Sequence, residues 1–264
     1  VKIYKALTIA GSDSGAGAGI QADLKTFAAL GVYGTSVITA ITAQNTVKVT
    51  KIFELSTDLV AAQIDAVIED IGAQALKTGM LANFKIIETV AKKISQHRLR
   101  NLVVDPVMVA KSGDLLLRKS AIDALRMHLI PLATVVTPNI PEAEELTGMR
   151  ITKAPDFHEA AKQILAMGAK SVVIKGGHRR GPANDIFYDG EKFRYLGSPR
   201  IRTRHTHGTG CTFSAAIAAY LAKGKEVEEA VVLAKKYITQ AIRHGFAIGS
   251  GHSPVHHFQR FWKN

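Results

Sequence analysis

A threonine between two glycines, in the run His207-Gly-Thr-Gly-Cys-Thr212, is where residue types and spacing in this 264-residue chain point most directly to chemistry. The run lies where a loop turns into a helix of small residues predicted to begin about Cys211. Unpaired N–H groups and the positive end of the helix converge there, which suits a phosphate in transfer. Cys211 is the one cysteine of the chain. At a helix N-terminus its thiol pKa is expected to fall, making it a base or polar partner for an attacking hydroxyl. A lone cysteine also serves commonly as a small buried hydrophobe. Alone, a Gly-Thr-Gly turn is a weak signal, since most glycines before helices serve backbone geometry.

Other groups fall where a phosphotransfer site would need them. Gly11-Ser-Asp-Ser-Gly-Ala-Gly-Ala-Gly19 matches neither the dinucleotide nor the Walker pattern. Its alternating glycines allow either close approach to a small ligand or a tight strand-to-helix turn. Asp23, one turn into the next helix, could bond a polar ligand or complement the helix dipole. Asn139-Ile-Pro-Glu142 places an amide and a carboxylate at a helix start. They could serve magnesium beside nucleotide phosphates, or cap the helix. Asp105 ends an apolar strand, a place where a carboxylate is more often a ligand or metal contact than a core residue. Lys175 ends another and could neutralise phosphate or snorkel from the sheet. The pair His256–His257 is read as structural or on the surface, and Phe258 and Trp262 as anchors of the tail.

Short Val/Ile-rich runs alternate with longer amphipathic stretches, the pattern of a parallel sheet with helices on both faces. Strands are predicted at Tyr4–Ala10, Thr35–Ile41, Ala75–Thr78, Leu102–Asp105, Thr134–Thr137 and Ser171–Lys175. Helices are predicted at Gly19–Leu30, Asp58–Ile71 (capped by Ser56 or Thr57), Phe84–Gln96, Cys211–Ala222 and Val227–His244. A further helix, started by a capping box of Asp156 and Glu159, ends at Gly168. Asp189-Gly190 between aromatic residues signals a hairpin. No repeat or linker divides the sequence, so one domain over residues 1–264 is expected. In such sheets ligands bind beyond the carboxyl ends of the strands, where Asp13, Gln44, Gly79–Met80, Asp105, Asn139 and Gly176–His178 fall.

The formal charge of +12 is spread over scattered basic residues, densest at Arg179–Arg180 and Arg200–Arg204, without interleaved aromatics. That argues against nucleic acid as the partner. A single cysteine excludes an intramolecular disulfide and a cysteine-rich zinc site. With no apolar run of spanning length and no leader read ahead of the first strand, a soluble cytoplasmic protein with no membrane partner is expected.

Taken together, Thr8-Ile-Ala-Gly-Ser-Asp13, Ala18-Gly-Ile-Gln-Ala-Asp23-Leu-Lys-Thr26, Ala43-Gln-Asn45, Lys77-Thr-Gly-Met80, Val104-Asp-Pro-Val-Met108, Thr137-Pro-Asn139, Lys175-Gly-Gly-His178 and Thr206-His-Gly-Thr-Gly-Cys-Thr212 closely resemble the hydroxymethylpyrimidine/phosphomethylpyrimidine kinases of thiamine biosynthesis. The match runs in order to Gly251-His-Ser-Pro-Val-His-His-Phe258. The resemblance implies a ribokinase-like fold, a three-layer α/β/α sandwich around a mainly parallel sheet with a small β-hairpin excursion, assembled as a homodimer. It implies two phosphorylations with ATP and Mg2+: of 4-amino-5-hydroxymethyl-2-methylpyrimidine, then of its monophosphate.

Carried over by position, Gly11, Asp23 and Gln44 would form the pyrimidine pocket, with Met80 and Val107 as apolar walls. Asn139, Glu142, Thr209 and Lys175 would serve the nucleotide and its phosphates, and Asp105 and Glu142 the metal. Backbone amides around Gly208, Gly210 and Cys211 would hold the oxyanion, with Cys211 beside the attacking hydroxymethyl group. Pyridoxal/pyridoxine kinases share most of these motifs. Gln44, where that branch is expected to carry Met, argues for the aminopyrimidine. Ala16 stands where many relatives have Gly, and is expected to be tolerated if its φ is negative.

Overall fold

A computed structural model describes residues 2–108, 119–177 and 184–262, so His178, Arg179 and Arg180 lie outside the described residues. Among the described residues, nine strands form one sheet in the order β3-β2-β1-β4-β5-β6-β7-β8-β9. They are β1 Lys5–Asp13, β2 Tyr33–Gln44, β3 Val49–Glu54, β4 Ala75–Thr78, β5 Leu102–Val104, β6 Val135–Val136, β7 Val172–Ile174, β8 Asp185–Tyr188 and β9 Phe193–Leu196. From β2 through β7 the neighbours run parallel. The predicted hairpin is the antiparallel pair β8–β9, joined to β7 at the far edge. Sequence reading missed β3, which pairs antiparallel with β2 at the other edge.

Side-chain alternation divides the interior into two cores. Leu102 and Val104, with Val172 and Ile174, point into one core, while Val103 and Val173 between them point into the other. The first core packs under α2 (Thr57–Asp70), α3 (Phe84–Gln96), the segment from α4 (Lys119–Ala124) through a π-helical turn at Leu125–Leu129, α5 (Ile140–Thr147) and α6 (Ala154–Ala166). The second packs under α1 (Gly19–Ala29), α7 (Thr209–Ala222) and α8 (Val227–Arg243). The α/β/α sandwich is therefore as expected. No helix among the described residues is long and apolar enough to cross a membrane.

Ser56 caps α2 by accepting from the Leu59 N–H, and Asn83 caps α3 by accepting from that of Ile86. The capping box expected of Asp156 and Glu159 differs. Helix α6 starts two residues before Asp156, whose carboxylate reaches back to the N–H groups of Thr152 (2.8 Å) and Lys153 (3.0 Å). Glu159 instead accepts from Gln163. Pro155 sits in that first turn, where its missing N–H costs nothing.

His256 and His257 are both buried, so the surface alternative for them fails. His257 Nε2 lies 3.0 Å from Thr212 Oγ1 in α7, and burial pushes its imidazole down to about 3. Trp262 stacks on Phe258 with ring centroids 5.7 Å apart, which fastens the tail as expected.

Candidate active site

A cavity of about 750 Å³ opens beyond the carboxyl ends of the parallel strands, between the sheet and the start of α7. Its lining includes Gly11, Gln44, Met80, Val107, Asp105, Asn139, Glu142, Lys175 and the turn Gly208–Cys211. Residues far apart in sequence meet there because each parallel strand delivers its C-terminal loop to the same edge.

The α7 turn is built by steric exclusion. Gly208 is the N-cap at φ 75°, left-handed backbone, and a Cβ on it would come within 1.8 Å of the Gly17 carbonyl oxygen. The helix starts at Thr209, two residues earlier than predicted, and the Thr209 hydroxyl donates to the Thr206 carbonyl (2.7 Å). Gly208, Thr209, Gly210 and Cys211 line the cavity with no acidic residue in the turn, and the Thr209 N–H is taken by the Thr206 carbonyl (3.3 Å).

Beside this cradle lies a charge cluster. Lys175 Nζ donates to Asp105 Oδ1 at 2.9 Å and stands 3.9 Å from Glu142 Oε2. Burial would lower the lysine, but Asp105 and Glu142 outweigh it and hold the ammonium above its usual range. Burial pushes Glu142 up to about 7, with Lys175 opposing and Asp105 adding to the rise. Asn139 and Glu142 form a reciprocal capping box: Asn139 Oδ1 accepts from the Glu142 N–H and Glu142 Oε2 from that of Asn139. The capping reading of this pair therefore holds, and the same two residues also line the cavity.

Two expectations need correction. Asp23 does not line the cavity and is not an exposed first-turn acid. It is fully buried beneath the site, where its Oδ2 accepts from Lys77 Nζ (2.9 Å) and Thr8 Oγ1 (2.6 Å). Its Oδ1 has no partner among the described residues, and burial pushes the carboxyl up. The polar ligand expected for Asp23 is thus Lys77, which does line the cavity. Second, the Cys211 thiol is not lowered: burial pushes it up to about 11 even though Lys77 pulls the other way. The helix terminus does not offset the loss of water around the sulfur.

At the opposite wall, Met80 packs so close to Gly11 that a Cβ there would lie 2.5 Å from its Cε. Gln44 stands next to a pair that sequence reasoning passed over: His207 Nε2 lies 2.9 Å from Asp13 Oδ2. Asp13 also accepts from the N–H groups of Gly15, Gly17 and Ala18. Burial alone would raise its carboxyl, but the bonds from His207, Ala18 and Gly15 hold it below its usual range. In the turn that Asp13 holds, Ala16 has φ 59°, so the condition under which alanine is unstrained is not met. Sequence reading also missed part of the lining, formed by Pro199 and Ile201 and by Ile238 and Ile242 of α8. The i, i+4 spacing of those two isoleucines was its one visible signal.

An anion cradle at a helix start, a lysine held between two carboxylates, and a cavity lined by both and by the Gln44 amide define a small-molecule phosphotransferase on a ribokinase-like fold. The chain belongs to the phosphomethylpyrimidine kinase family, whose profile matches residues 13–256. It is 50% identical, over 98% of its length and 96% of the relative's, to the hydroxymethylpyrimidine/phosphomethylpyrimidine kinase of Bacillus subtilis. It is 52% identical over 95% of its length to the thiamine biosynthesis bifunctional protein ThiED of Geobacter sulfurreducens, matching 51% of that longer protein. Among solved structures, an ADP complex of Bacillus subtilis pyridoxal kinase superposes with a TM-score of 0.92 at 47% identity, covering 98% of this chain and all of that one.

Proposed function

We propose that this kinase transfers phosphate from ATP to the hydroxymethyl group of 4-amino-5-hydroxymethyl-2-methylpyrimidine, and then a second phosphate to the monophosphate, in thiamine biosynthesis. The observation that carries this reading is Gln44 in the lining of the same cavity as the α7 cradle, its amide 3.4 Å from the imidazole of His207, the residue before Gly208. An amide both donates and accepts, as an aminopyrimidine edge requires. Met80 and Val107 supply the walls for the ring. The nucleotide lies toward Ile238 and Ile242 of α8, with its phosphates at Lys175, Thr209 and Asn139.

Phosphoryl transfer passes through a loose transition state, so positioning and charge neutralisation dominate. The N–H groups of Gly208, Gly210 and Cys211 take the equatorial oxygens, and Lys175 balances the charge that develops. The substrate hydroxyl sits beside Cys211, whose thiol is protonated at rest and takes the hydroxyl proton only from its minor thiolate form. Oxygen donors at this end suit magnesium. Asp105 Oδ2 faces the Gly210 side and would hold the ion directly, whereas Glu142, already engaged with Asn139, would hold it through water. Bound there, the ion would draw charge from the phosphate oxygens.

The chain acts as a homodimer, with the exposed apolar side chains Ile41, Ile52 and Phe53 at the β2–β3 edge as the joining surface. Scattered basic residues and a single free thiol fit a cytoplasmic enzyme without a nucleic-acid partner. To test the assignment, the purified chain is incubated with ATP, magnesium and, separately, the pyrimidine alcohol, its monophosphate and pyridoxine, and products are resolved by mass. At least about tenfold higher kcat/KM for the pyrimidine than for pyridoxine is expected. Equal efficiency would give the site to the pyridoxine reading.

A further inference from the structure

The chemistry of the Asp13–His207 pair decides how Gln44 is used. Asp13 accepts from three backbone N–H groups, Gly15 (2.8 Å), Gly17 (3.1 Å) and Ala18 (2.8 Å), as an ionised, acceptor-only carboxylate does. With Oδ2 only 2.9 Å away, His207 Nε2 carries the proton, because two facing lone pairs would repel. One arm of the Gln44 amide lies 3.4 Å from that same nitrogen, and the other lies 3.2 Å from Thr42 Oγ1. An amide N–H aimed at His207 would set donor against donor, so the arm facing His207 is the oxygen. The remaining groups then match without conflict. The Gln44 NH2 donates to Thr42 Oγ1, and the Thr42 hydroxyl donates to the Ser12 carbonyl at 2.9 Å. The imidazole has a place made for it: a Cβ on Gly17 would come within 2.2 Å of His207 Cδ2.

We propose that His207, held by Asp13, is a positioning residue that sets substrate specificity by fixing the Gln44 amide with its oxygen toward the imidazole. One lone pair and one N–H of Gln44 are then left for the cavity in a fixed order along the amide edge. That order matches the amino group and adjacent ring nitrogen of a 4-aminopyrimidine, donor to acceptor and acceptor to donor. The reversed amide would oppose both. Pyridoxine, which lacks the amino group, gains nothing from the fixed order. The inference rests on the reading that Gln44 contacts the pyrimidine.

Two measurements test it. In the full-length chain labelled with 15N-histidine, the His207 ring signals are identified by their absence from His207→Gln. The proton is expected on Nε2, and a bare Nε2 overturns the proposal regardless of what Gln44 binds. The second compares the ratio of kcat/KM for the pyrimidine alcohol to that for pyridoxine in wild type, Gln44→Met, His207→Leu and His207→Gln. His207→Leu is expected to lower the ratio by about fivefold to a hundredfold, mainly through KM for the pyrimidine, the range for one lost polar pairing. His207→Gln, whose amide N–H reaches a similar position, is expected to restore most of it. If Gln44→Met loses selectivity while His207→Leu keeps it, the positioning role fails and the Gln44 reading stands. If both keep it, Gln44 is not the reader and the proposal falls with it.

Discussion

Burial holds the Cys211 thiol near 11, so the thiolate fraction at neutral pH is small and grows with each unit of pH. If the thiolate accepts the substrate proton, kcat of the wild type rises from pH 7 to pH 9. Cys211→Ala then flattens that profile and lowers kcat at pH 9 by at least about 10²-fold. A flat wild-type profile would assign Cys211 to packing and leave the step to the backbone cradle and Lys175. Beneath it, Lys77→Met strands the Asp23 carboxylate in the interior and is expected to cost about 3–5 kcal/mol in denaturant unfolding. Adding Asp23→Leu should recover most of that loss; no recovery would show that the two side chains do not act as a pair. Gln44, Asp105 and Lys175 were legible in the sequence because each is a polar residue ending an apolar run, and Glu142 because it follows Asn139 and a proline at a helix start. Asp13–His207 and Asp23–Lys77 were not, since only the folded sheet brings such distant positions within hydrogen-bonding distance.

At the level of elements, the turn after β1 carries backbone strain and the start of α5 a carboxyl that burial disfavours in its charged form. Ala16 at φ 59° has left-handed backbone, so Ala16→Gly should stabilise the protein by about 1 kcal/mol after the greater freedom of glycine in the unfolded chain is offset. An unchanged or lower Tm would contradict this. The Glu142 carboxyl is raised from 4.5 to about 7 in the folded state. Its ionisation therefore opposes folding, absent below about pH 4.5 and fully present above about pH 7. Glu142→Gln keeps an acceptor for the Asn139 N–H and removes that charge. Its Tm relative to wild type should be higher at pH 8 than at pH 5, and the reverse order would reject the assignment. The parallel strands and most helices were readable because their periodicity is set by burial on both faces of the sheet. Strand β3 was not, because every residue in it except Val49 is exposed and Lys51 and Glu54 interrupt the apolar pattern. The π-helical turn at Leu125–Leu129 is similarly defined by its neighbours rather than by its own sequence, whereas the two-residue β6 falls inside the strand predicted at Thr134–Thr137.

For the molecule as a whole, the exposed Phe53, with 67% of its surface open, and the exposed Ile41 and Ile52 near it form the surface proposed to take up a second copy. Light scattering is expected to give twice the mass of one chain, and Phe53→Lys to shift the mass toward one chain at micromolar concentration. A wild-type monomer at every concentration tested would remove the dimer.

The fastening of Asp13 to His207 joins positions 194 residues apart. Gly208 closes on Gly17 at the same place, and a bridge from His207 to Pro254 ties in the tail. During synthesis the first strand and its turn leave the ribosome long before their partners exist. A nascent chain that has emerged only as far as β9 has much of the sheet and no place for a substrate. The capacity to bind arrives only once the segment from His207 to Pro254 has been made. Premature termination would thus leave fragments that fold in part and compete for no vitamin precursor.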